Sequence, residues 1–163
     1  FLVTLASDEL SPLGQRRVNA MRSIADNLES IGDRCYEMSK ILTSKREQKI
    51  WFSPEQRANI QKLFGMVREA LDCMQENLSM EYDRVSGKEA FTREININEM
   101  RNALLMEHLE GIHKKGYRAD AGGIYRELFS ISERLGDHVI NITEAILASQ
   151  EEQGARLKSN PKT

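Results

Sequence analysis

Apolar residues recur along this chain at alternating steps of four and three, the spacing of a helix that buries one stripe. The first such stripe runs Ile24, Leu28, Ile31, Cys35, Met38, Leu42, and the second Ile60, Leu63, Val67, Leu71, Met74, Leu78. Ser11-Pro12 opens the first helix, with serine as N-cap and proline at the first helical position, and the pattern carries it to Leu42. Ser53-Pro54-Glu55-Gln56 repeats that start, with Gln56 placed to close a capping box and Trp51 and Phe52 ahead of it to staple the turn. After a loop at Ser86-Gly87-Lys88, a third helix is expected from Thr92 to Lys114 through Ile95, Met100, Leu104, Leu105, Leu109 and Ile112. Gly116 to Gly123 reads as a connection, with Asp120 as the cap of a last helix from Ala121 to Ala148. Ile124, Leu128, Ile131, Leu135, Val139, Ile142 and Ile146 form its stripe. No stretch alternates as a strand would. The fold class is therefore all-α, an antiparallel bundle of about four long helices in one domain spanning 1–163. Residues 1–11 are expected to be the stub of a preceding element and residues 150–163 a frayed polar tail.

Composition narrows the function classes. The chain has 163 residues, enough for one domain with a real core. Its 23 basic side chains against 25 acidic ones leave no basic surplus for nucleic acid. Cys35 and Cys73 lack the clustering of a zinc site or a disulfide framework, so both read as buried, reduced thiols. No run approaches the ~20 apolar residues of a membrane span, and no signal peptide is present. The opening Phe1-Leu2-Val3-Thr4-Leu5 lies in mid-element, as a piece of a longer protein would.

Enzyme signatures are thin. A di-iron bundle needs two Glu-x-x-His motifs, and the chain offers one, Glu110-Gly111-Ile112-His113. A P-loop, a dinucleotide loop and a local Ser/His/Asp or Cys/His set are all missing, so the chain is expected to be no enzyme.

What stands out is a duplicated phrase. Leu28-Glu29-Ser30-Ile31-Gly32-Asp33-Arg34 returns 104 positions on as Ser132-Glu133-Arg134-Leu135-Gly136-Asp137-His138, and Arg22, Ile24, Met38 and Leu42 match Arg126, Leu128, Ile142 and Ile146. Two acids at i and i+4 share a helix face and repel by roughly 0.2–0.5 kcal/mol. Helical geometry turns both pairs away from the apolar stripes. A solvated polar face would explain one pair; its duplication with the glycine kept points further. A glycine in mid-helix costs about 1 kcal/mol against alanine, which makes sense where another helix packs close. Glu29, Asp33, Glu133 and Asp137 are thus candidate oxygen ligands for Mg²⁺, Mn²⁺ or iron, and His138 would add an imidazole that favours zinc, nickel or iron. Phe129 and Ile140 lie on the acid-bearing side of the last helix, so that side is expected to be covered by a partner or by more of the protein.

Glu133-Arg134-Leu135-Gly136-Asp137-His138 and Asp26-Asn27-Leu28-Glu29-Ser30-Ile31-Gly32-Asp33 resemble the signature of the PhoU family of phosphate-transport regulators, with Arg34 where that family has histidine. The likeness covers most of residues 12–149, and is nearest to the PhoU-like C-terminal region of bacterial sodium/phosphate cotransporter proteins. It implies repeated three-helix units, with 12–42 the last helix of one and 54–149 the whole of the next. It also implies a non-enzymatic regulatory domain at the cytoplasmic face of the membrane, itself soluble. Its partner would be the membrane transporter part of the same or another chain, with a homodimer as a further option. Signature acids would hold a transition metal on the outer surface, which adds Asp26 to the candidates, with Glu69, Asp72 and Glu76 as looser ones. The alternative is a metal-free helical scaffold for protein–protein interaction or dimerisation, in which the motif is a packing device.

Overall fold

The computed structural model describes residues 11–113 and 118–150. These form four long helices, α1 (Pro12–Glu47), α2 (Pro54–Ser79), α3 (Lys88–Ile112) and α4 (Ala119–Ser149), with a 3₁₀ turn at Tyr82–Arg84. Among the described residues there is no strand, and none of these helices is long and apolar enough to cross a membrane. The expected stub at 1–11, bar Ser11, and the expected tail beyond Gln150 lie outside the described residues.

Local signals act as read at two of the helix starts, whereas Asp120 does not cap α4: that helix begins at Ala119, so Asp120 lies in its first turn and pairs with Arg118 instead. Ser11 Oγ accepts from Gly14 N at 3.1 Å, and Ser53 and Gln56 exchange the two bonds of a capping box. Phe52 is buried against Tyr125, whereas Trp51 stays exposed. The end of α1 was not legible, and the helix runs five residues beyond Leu42. Lys49 adopts a left-handed conformation (φ 53°), and the amides of Lys49 and Ile50 bond back to the carbonyls of Arg46 and Lys45. That closure turns Ile50 into the core and folds α2 back. The other end shifts are small: α3 starts at Lys88, and Ala119 to Gly123 already belong to α4.

The four helices are not equal. α4 packs against each of the other three, α2 also packs against α3, and α1 packs substantially on α4 alone. Leu128, Ile142 and Ile146 of α4 are fully buried, and Tyr125, Phe129 and Ile131 nearly so. Of the 36 residues of α1, by contrast, only Ala20, Ile24 and Ile31 are buried. Six stripe assignments are therefore corrected. Leu28, Cys35 and Leu42 of α1 are exposed, because nothing among the described residues packs over them. On α3 the core takes Ile97, Leu104 and His108 and leaves Ile95, Leu109 and Ile112 in solvent, since two neighbours, α2 and α4, set its orientation. Cys73 is the buried thiol; desolvation raises its pKa and keeps it protonated.

Burial also fixes a pH response. His108, wedged edge-on against Phe129, has its pKa lowered by desolvation and then by the charge of Arg126. The unfolded chain then binds the proton more readily than the folded one. Stability should be complete above about pH 6.5, the ordinary histidine value, and fall as the pH drops below it. Urea titrations from pH 7.5 to 5 should show this slope, and His108→Gln should flatten it.

Candidate functional site

Both motif helices meet in one contact. α1 and α4 lie antiparallel, with His138 Nδ1 3.0 Å from Asn27 Oδ1 and Asn141 Nδ2 donating to the same oxygen at 3.3 Å. The pairing is nearly two-fold in the frame of the repeat. Ala20 lines a cleft with Ala145, while Ile124, the counterpart of Ala20, lines one with Ile41, the counterpart of Ala145. The duplicated stretches thus pack face to face on equivalent stripes.

This packing sends the acids of α1 outward. Glu29 lies about 160° round the helix from Ile31, the residue buried against α4. Asp26, Glu29 and Asp33 are exposed on α1, and Asp137 is half-buried on α4. Glu133 is held in a 2.8 Å ion pair with Arg101 of α3. Among the described residues no group of three or more His, Cys, Asp or Glu side chains is placed to hold a metal ion. The two acid pairs therefore do not gather into one cluster. An amide oxygen only accepts, so in this contact Nδ1 of His138 is the donor to Asn27 Oδ1. Of the looser candidates, Glu69 pairs with Arg93 at 2.8 Å, and Asp72 and Glu76 are exposed.

What covers the acid-bearing side of α4 is this chain itself. Phe129 sits edge-on to His108 of α3, and Ile140 clusters with Cys73 of α2 and Ala90 of α3. Gly136 explains its own presence, because a Cβ there would lie 3.3 Å from Ile97 Cδ1. Gly32, its counterpart, has nothing within 4 Å of such an atom.

That difference extends along the whole face. Tyr125, Phe129, Ser132, Gly136, Val139, Thr143 and Ile146 of α4 are all buried under α2 and α3. Their counterparts on α1 are Met21, Ala25, Leu28, Gly32, Cys35, Ser39 and Leu42, and every one is exposed. Met21, Leu28 and Leu42 leave 48%, 43% and 39% of their surface in solvent. A seven-residue repeat of apolar side chains over about 30 Å of helix is thus bare on α1 and covered on α4. The sequence contained this signal in the spacing of Met21, Leu28, Cys35 and Leu42, but only the packing tells which copy is bare.

No family model, curated protein or solved structure matches this chain.

Proposed function

We propose that this chain is a non-enzymatic regulatory domain of the PhoU type, linked to phosphate transport, whose α1 receives helices of a transporter's membrane part from the same or another chain at the cytoplasmic face. The observation that carries the docking role is the bare seven-residue stripe on α1 at positions where α4 is covered by two helices. An exposed glycine in the middle of that stripe fits a close helix approach on α1 like that of Ile97 at Gly136. The link to phosphate transport rests on the resemblance of the two Glu-x-x-x-Asp phrases. Leu28→Asp with Leu42→Asp tests the docking role. Neither side chain is buried, so circular dichroism should stay helical while binding to the reconstituted transporter part weakens at least roughly tenfold. Unchanged binding would end this reading.

In the metal-binding form of the proposal, Glu29, Asp33, Glu133, Asp137, Asp26 and His138 take up Fe, Zn, Ni, Mn or Mg on the outer surface. Elemental analysis after loading decides it: stoichiometric metal is expected in the native chain and none in Glu29→Gln with Glu133→Gln. The Arg101–Glu133 pair and the separation of the acid pairs favour the second reading, a metal-free scaffold. Under that reading the same double substitution leaves partner binding intact.

A further inference from the structure

The near two-fold packing of α1 on α4 creates two equivalent clefts, one at each end of the pair, and the chain has treated them differently. The cleft beside Arg16, Asn19, Ala20 and Ser23 of α1 is small, about 330 Å³, and is lined across from them by Ala145 and Ala148. Its counterpart, between the end of α1 and the start of α4, is about 870 Å³. Gly123 stands there where the small cleft has Asn19, and a Cβ on Gly123 would meet nothing within 4 Å.

The charges differ as well. Lys40, Arg126 and Arg134 all line the large cleft. At the equivalent positions around the small one stand Glu144, Arg22 and Ser30. Among the described residues, none of the three cations has a carboxylate within ion-pairing distance. Lys40 only rests over the Tyr36 ring, 4.3 Å from its centre. Of the two acids on the lining, Asp120 is occupied by the guanidinium of Arg118, at 3.2 and 2.6 Å, which leaves Glu127 as the one opposing charge. Ser44, Ser130 and Gln48 supply neutral donors, and Ile41 and Ile124 an apolar floor. In a chain whose net charge is −2, three unpaired cations in one cleft do not follow from composition.

We infer that this cleft binds a small phosphorylated molecule. Lys40, Arg126 and Arg134 would take the phosphate oxygens, and the uncharged part would rest on Ile41 and Ile124. Guanidinium forks match phosphate oxygens in pairs, and a volume of this size exceeds what inorganic phosphate needs. The inference draws on neither the acid pairs as ligands nor the α1 docking stripe, so it stands apart from the proposed function.

Isothermal titration of the 163-residue chain with ADP, and separately with inorganic phosphate, tests it. ADP is expected to bind more tightly than phosphate, with affinity that falls as salt rises. Arg126→Ala with Arg134→Ala should weaken ADP at least roughly tenfold, since two charge-assisted contacts are lost, and Lys40→Ala should weaken it less. All three side chains are exposed, so helicity should survive and a loss of binding cannot be put down to unfolding. Absence of ADP binding at millimolar concentration overturns the inference, as does an affinity that the double substitution leaves unchanged. Equal affinity for phosphate and ADP overturns the role of the apolar floor.

Discussion

Replacing Phe129 with alanine should lower the unfolding free energy by about 3–5 kcal/mol, the usual cost of emptying a buried aromatic site. The ring is 1% exposed, stands edge-on to Tyr125 with centroids 5.5 Å apart, and meets His108 at 6.3 Å. α3 and α4 meet there, and His108 and Tyr125 cannot move in without giving up contacts of their own. The counterpart of Phe129 in the repeat is Ala25, which is exposed. Leu28→Ala, one turn further along the same bare face, should cost under about 1 kcal/mol, because a side chain that leaves 43% of its surface in water has little transfer energy to lose. Urea unfolding of both variants at unchanged slope would measure the difference. Comparable losses in the two would mean that α1 is covered in solution by something outside residues 11–150.

Opposite effects are expected at the two glycines of the repeat. Gly32→Ala should raise stability by up to about 1 kcal/mol, since the new methyl meets nothing and mid-helix glycine is penalised by that amount. Gly136→Leu should lower it by at least about 1–3 kcal/mol, because even a Cβ would already press on Ile97 at 3.3 Å and the larger side chain must displace α3. Thermal or urea melts check both. The pair also reports on function. If α1 receives helices as α4 does, Gly32→Leu should weaken partner binding while leaving the isolated chain folded. A destabilising Gly32→Ala would contradict the open space around that position.

Much of this could be read along the chain because helix formation is local. Ser11-Pro12 and the Ser53/Gln56 box set two helix starts within a few residues of themselves. The 3.6-residue period exposes the amphipathic character of each segment. Duplication too is a property of the sequence, and it carried over into a near-symmetric pairing of α1 with α4.

The end of α1 was illegible for a different reason. Lys49 in a left-handed conformation is held by bonds to Arg46 and to the Ile50 turn, and lysine gives none of the warning that glycine would. Side-chain partners brought from afar were equally hidden. Arg101 lies 32 residues before Glu133, and nothing near either residue announces the pair that occupies this acid. Nothing near Lys40, Arg126 or Arg134 in the chain announces that they gather until α1 and α4 pack antiparallel and place them around one cleft.

By itself the sequence determined the number and type of elements, most of their starts, and the existence of two equivalent motif helices, since each depends on residues close together in the chain. Which copy is buried, that the acid pairs stay apart, and where unpaired cations gather were decided only by tertiary packing. A helical stripe specifies that it must be covered without specifying by what. α4 found α2 and α3, and among the described residues α1 found only α4.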